Sequence, residues 1–191
     1  MKYLIAKTLD FSEEFYSGFL KSLDADTNKY ILSKKKQEAQ KTSLLALYLL
    51  KKGLSQFYGI NDYKILRSKK GKPYLKDNEV YFSISHTKDT AAVAFSEKPV
   101  GIDVEYLRGY SSAAKRFFNG DENQYALQSD LNFTKIWTLK EAAVKATGQG
   151  MIQAKNINFK FFNDKIITDL PNAKIFQEVK DGLIISICEI E

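Results

Sequence analysis

The order of apolar periodicities, read twice along the chain, limits what this protein can fold into. A period-two stretch at residues 2–9 is followed by helical spacing over residues 12–23, then again from Asp26 or Thr27 to about residue 52. Alternate side chains share a face of a strand, whereas those three and four apart share a face of a helix. Short strands are expected at residues 63–67, 80–85 and 91–96, with His86, Thr87, Lys88 and Asp89 in the turn between the last two. After Pro99 the order returns. A strand at residues 100–106 precedes helical stretches at 112–118 and 122–127 and a longer helix at 132–147. Strands then follow at 156–162, 174–179 and 183–190. Gly53 and Gly148 are expected to stop the two long helices, and Asp181-Gly182 marks a hairpin. The pattern predicts an α+β fold of two pseudo-symmetric lobes, residues 1–98 and 99–191. Each lobe packs a small antiparallel sheet on a long helix, with the active site in the cleft between them.

Composition narrows the setting. A chain of 191 residues with 44% hydrophobic and 27% charged content is ordinary for a globular protein. The longest apolar run, residues 44–50, is too short to span a bilayer. The first residues read as a strand and not as a signal peptide. Cys188 is the sole cysteine and lies in an alternating apolar run. That usage predicts a reducing, cytoplasmic setting. The net charge of +6 comes mainly from lysine, with arginine only at 67, 108 and 116. Such an excess favours an anionic partner without choosing among a phosphorylated ligand, an acidic protein and nucleic acid. The lysines are dispersed among acidic residues and no nucleic-acid motif is present, so neither nucleic acid nor membrane is the expected partner.

Three segments carry groups suited to chemistry. On a strand, Asp103 and Glu105 project from one face and Ile102 and Val104 from the other. Carboxylates that close repel unless a cation or water separates them, and hard oxygen donors suit Mg²⁺. An edge strand with one polar face fits the same pattern. On a helix, Trp137, Glu141 and Lys145 fall along one side. Glu141 and Lys145 also fit an ordinary surface ion pair. Lys140 interrupts the otherwise apolar stripe of Phe133, Ile136, Trp137 and Val144. In the third segment, Phe82 and Ile84 share a face, which leaves Ser83, Ser85 and the strand-end His86 for polar groups.

Together, Gly71-Lys72-Pro73, Ser83-Ile84-Ser85-His86, Gly101-Ile102-Asp103-Val104-Glu105 and Trp137-Thr138-Leu139-Lys140-Glu141 through Lys145 resemble the 4'-phosphopantetheinyl transferases. The nearer branch is the larger, single-chain Sfp type. The likeness runs from about residue 28 to about residue 159, and Arg116-Phe117-Phe118 with Glu122 resembles a further stretch of that family.

The resemblance implies a function. Members move the phosphopantetheine arm of coenzyme A onto a serine of an apo acyl or peptidyl carrier protein, releasing adenosine 3',5'-bisphosphate. By similarity, Asp103, Glu105 and Glu141 would hold Mg²⁺, with Mn²⁺ as the alternative. Coenzyme A would meet Lys36, Lys41, Lys72, Ser85, His86, Asp103 and Lys145. Lys72 is expected at the adenine end, Ser85 and His86 on phosphate, and Lys36 and Lys41 at the 3'-phosphate. At Lys41 the family more usually has arginine, and lysine keeps the charge without the bidentate fork. Glu141, Lys145 and Glu122 are the catalytic candidates, with Glu122 or Glu141 taking the serine proton. The enzyme is expected to be a monomer, and a basic chain suits acidic carriers through steering. The competing functions are a Mg²⁺-dependent nuclease, nucleotide hydrolase or other phosphoryl-transfer enzyme built on the same carboxylates, and, ranked last, a basic nucleic-acid-binding domain.

Overall fold

The computed structural model describes residues 1–191 apart from 77, 78, 113 and 164. Strand β1 (Lys2–Lys7) runs into a 3-10 turn at Thr8–Asp10, so it stops short of residue 9. Helix α1 (Glu13–Lys21) starts where Ser12 accepts from the Phe15 amide, and α2 (Ala25–Leu32) where Asp24 accepts from the Thr27 amide. Those side chains satisfy amides that a first helical turn leaves open. The single helix expected from Asp26 or Thr27 is therefore two helices, α2 and α3 (Gln37–Tyr58). The break falls at Ser33-Lys34-Lys35-Lys36, where neighbouring like charges disfavour a continuous helix. Gln40 Nε2 there donates to the Lys34 carbonyl at 2.8 Å. Gly53 does not stop α3. A Cβ at Gly53 would lie 2.2 Å from Phe95 Cζ, so this glycine lets helix and sheet approach. Gly59, at φ 67°, ends the helix instead.

β2 (Ile65–Arg67) and β3 (Pro73–Leu75) form a small hairpin. β4 (Tyr81–Thr87) and β5 (Thr90–Ser96) form a longer one that turns at Lys88-Asp89. His86 is thus a strand residue, paired with Ala91, and not part of the turn. The second half opens with β6 (Val100–Tyr106). A helix was expected over residues 112–118. Residue 113 lies outside the described residues, and Lys115–Phe117 forms a 3-10 turn. Then come α4 (Gly120–Ala126), α5 (Asp130–Thr147) and a 3-10 stretch at Met151–Asn156. β7 (Phe159–Phe162), β8 (Lys165–Thr168), β9 (Ala173–Lys180) and β10 (Leu183–Ile190) complete the chain. Gly148 ends α5 at φ 66°. Asp181 and Gly182, at φ 51° and 75°, make the β9–β10 turn that the sequence marks.

The two three-stranded sheets run β1-β5-β4 and β6-β10-β9. Each places the first strand of its half at one edge, the last strand in the centre and the penultimate strand at the other edge. Alternation along β5 sends Ala91, Val93 and Phe95 toward α3, with Leu45, Leu50 and Leu54, and sends Ala92 and Ala94 the other way. Those two alanines meet Ile102, Val104, Ile185 and Ile187, so the sheets pack face to face. On the far side α5 covers the second sheet through Phe133, Ile136, Leu139 and Ala142. The layers are helix, sheet, sheet, helix, an α+β arrangement.

Candidate active site

Close packing of β6 on α5 begins with Gly101. A Cβ there would lie 1.9 Å from the Ala142 carbonyl oxygen and 2.4 Å from the Ala146 nitrogen. Only glycine permits that approach, and the approach brings Lys145 onto Asp103. β6 is an edge strand of its own sheet, so its outward amides lack a strand partner. Strand β4 of the first half supplies one through side chains. Ser83 Oγ accepts from the Ile102 amide at 3.1 Å and Ser85 Oγ from the Val104 amide at 3.3 Å. The alternating serines thus join the two halves along the strand that carries the acids.

Around this seam the polar groups converge. Lys145 Nζ donates to Asp103 Oδ1 at 2.7 Å, to Ser85 Oγ at 3.1 Å and to the Ile102 carbonyl at 3.1 Å. Ser85 Oγ donates to the same Asp103 oxygen at 2.8 Å. Thr87 continues the serine alternation and donates to Glu105 Oε2 at 3.0 Å. Arg108 reaches Glu105 Oε1 at 3.3 Å while its guanidinium lies 5.2 Å from the Trp137 ring centre. Asp103 is only 5% exposed, and its second oxygen, Oδ2, is buried without a hydrogen-bond partner among the described residues. A buried carboxylate oxygen in that condition is costly unless something occupies it.

Electrostatics sets the two glutamates apart from ordinary carboxylates. Burial first, and then the Asp103 charge, push the Glu105 carboxyl above its usual range. Thr87, Arg108 and Lys145 oppose that rise. Glu141 on α5 is raised by the same two causes, burial then Asp103, with Lys145 opposing. Both glutamates therefore feel Asp103, and each resists ionising beside it. Among the described residues no three acids have already closed into a ligand cluster. The donor set is nonetheless hard oxygen throughout, with one buried oxygen unpartnered, and that fits a divalent cation.

The remaining sequence candidates divide. His86 lies on the opposite face of β4 from Ser85, with Phe82 and Ile84. It borders two hollows. One, of about 430 Å³, is walled by Tyr30, Arg67, Pro73, Phe82 and Ile84. The other, of about 590 Å³, brings His86 together with Lys36, Thr42, Lys88 and Tyr106. Burial and the Lys34 charge hold the His86 imidazole below its usual value, so it is neutral at neutral pH. Lys41 is not there. It is ion-paired with Glu13 and lies over the Tyr16 ring. The helical turn between Lys36 and Lys41 points the second lysine toward α1.

Lys72 and Glu122 also depart from expectation. Lys72 Nζ donates to the carbonyls of Val100, Lys145 and Ala146. Glu122 is 1% exposed. It pairs with the fully buried Lys140 at 2.8 Å and accepts from the Asn119 and Phe159 amides, each at 2.8 Å. Lys140 also donates to the carbonyls of Ala154 and Ile157. Its carboxylate is thus enclosed in the interior, where the sequence had offered it as a proton acceptor. The interruption of the apolar stripe at Lys140 is this ion pair. Thr87, Lys88, Tyr106 and Arg108 were not read as site residues from the sequence. Thr87 was within reach of it, since it falls two residues beyond Ser85 on the same strand.

Comparison with known proteins bears on this geometry. A family model described as the 4'-phosphopantetheinyl transferase superfamily matches residues 99–188, the stretch holding β6 and α5. Over that stretch the chain is similar to the 4'-phosphopantetheinyl transferase superfamily. It is 38% identical over 119 residues to the 4'-phosphopantetheinyl transferase gsp of Aneurinibacillus migulanus, covering 57% of this chain and 49% of that protein. It is 32% identical over 125 residues to the 4'-phosphopantetheinyl transferase Sfp of Bacillus subtilis strain 168, covering 61% and 55%. The match to the transferase HetI of Nostoc is 38% over 101 residues, covering 46% and 43%. The aligned region thus spans about half the length of these transferases.

Proposed function

We propose that this protein transfers the 4'-phosphopantetheine arm of coenzyme A to a serine of an apo carrier protein, with Asp103, Glu105 and Glu141 holding Mg²⁺ or Mn²⁺. The observation that carries the reading is the buried, unpartnered Asp103 Oδ2, set beside two glutamates that its charge disturbs. Similarity to the superfamily over residues 99–188 suggests the reaction class. A cation bound there would neutralise pyrophosphate charge.

Each residue then has a task. The serine hydroxyl oxygen bonds to the β-phosphorus, the bond from that phosphorus to the bridging oxygen breaks, and adenosine 3',5'-bisphosphate leaves. Glu141 takes the serine proton, since Glu122 is enclosed in its ion pair with Lys140. Lys145, 29% exposed beside Asp103, offers its ammonium to a phosphate oxygen as charge shifts toward the leaving group. The hollows on either side of His86 take the nucleotide end, with Lys36 and Lys88 as its positive charges.

Residues 1–98 and 99–191 are read as two lobes of one pseudo-twofold unit, on the strength of their shared strand order. The two halves of the chain together supply Ser85, Asp103 and Lys145, and we read the active unit as a monomer. Cys188 is buried with its thiol pushed up to about 12, which suits the reducing cytoplasm. Incubation with coenzyme A, Mg²⁺ and a panel of apo carriers tests the function by mass spectrometry. A carrier heavier by one phosphopantetheine group supports transfer. Nucleotide hydrolysis with every carrier unmodified supports the hydrolase instead.

A further inference from the structure

Lys72 sits in a loop built to hold it. The Ser68 amide donates to the Lys72 carbonyl at 2.9 Å, and the Lys72 amide to Ser68 Oγ at 3.1 Å. Gly71 takes φ 84°, donates to the Ser68 carbonyl at 2.8 Å and accepts from Arg67 at 3.1 Å. From this frame the Lys72 side chain crosses from the first half to the second. It passes Gly148, whose added Cβ would lie 3.9 Å from Lys72 Cδ. Its ammonium then meets the end of α5.

A helix leaves its last carbonyls without intrahelical partners, and their partial negative charge favours a cation. The Gly148 amide satisfies the Val144 carbonyl at 2.9 Å. Lys72 takes the next two, Lys145 and Ala146, and adds the carbonyl of Val100 where β6 begins. An ammonium has three hydrogens, and here they face three backbone acceptors. Neighbouring Lys70 donates to the Gln149 carbonyl at 3.1 Å, so the same loop binds the helix end twice. Lys145 is itself the residue that grips Asp103, and Val100 lies three residues before Asp103 on β6.

We propose that Lys72 is a positioning residue, which clamps the end of α5 and the start of β6 and so fixes Lys145 against Asp103, and is not a contact to the nucleotide. The kinetic part of this proposal rests on the transferase reading; the stability part does not.

Lys72→Met removes the ammonium and keeps most of the stem. Its thermal midpoint should fall by about 5 °C. Amide exchange in the last turn of α5 should quicken. In carrier modification, kcat should fall about tenfold while KM for coenzyme A stays within about twofold. Lys72→Arg, which can donate to the same carbonyls, should recover midpoint and kcat together. An unchanged midpoint with KM raised about tenfold makes Lys72 a nucleotide contact and overturns the proposal. A lowered midpoint with unchanged kcat overturns the positioning role. Should Lys72→Met not fold, Lys72→Gln and Lys72→Arg carry the same comparison. If wild-type protein modifies no carrier, the functional reading fails, and unchanged midpoint and exchange in Lys72→Met would separately remove the clamp.

Discussion

Asp103 meets opposing demands within one side chain. One oxygen takes Lys145 and Ser85, and the other is buried without a hydrogen-bond partner. Burial first, and then its charge, raise both Glu105 and Glu141, which would complete a cation site. That arrangement has a pH signature. A raised carboxyl keeps its proton to a higher pH than usual, and the proton competes with the cation for the same oxygens. Cation affinity should therefore decline as pH falls, beginning above the ordinary glutamate value of 4.5. Calorimetric titration with Mn²⁺ across that range checks it. Constant affinity down to that value would show that the glutamates are not ligands. Strand and helix periodicity placed Asp103, Glu105, Glu141 and Lys145 in the sequence, because faces follow from spacing. Burial does not follow from spacing, which is why Glu122 read as a base and proved to be enclosed.

At the level of elements, the Glu122–Lys140 pair ties α4 to α5 and, through the Phe159 amide, to β7. Desolvation pushes the Lys140 ammonium down and Glu122 opposes it. Losing one partner would leave a buried charge uncompensated. Glu122→Gln should cost about 3–5 kcal/mol in chemical denaturation. The folded fraction should still modify a carrier at close to the wild-type rate. Lost transfer at unchanged stability would return Glu122 to the reaction. The sequence showed Lys140 breaking an apolar stripe, but not its partner, which arrives from another helix. It also misjudged Gly53, since a helix stop and a close packing contact use the same residue. Only Phe95, distant in sequence, separates the two.

For the whole molecule, the repeated order of periodicities was legible, and the two sheets repeat one strand order. What the sequence could not supply was the join. Ser83 and Ser85 close the free edge of β6, and Lys72 holds the end of α5, so first-half residues complete the second-half elements that bear the acids. Gly101 sets the distance between those elements. The proposed transfer would then require the halves as one unit, with Asp103 at their seam. Carrier modification by Asp103→Asn, measured beside wild type at equal folded concentration, tests this most directly. The variant should keep the fold, bind Mn²⁺ more weakly, and modify the carrier about a hundredfold more slowly or worse. Near-wild-type turnover with unchanged cation affinity would contradict the account.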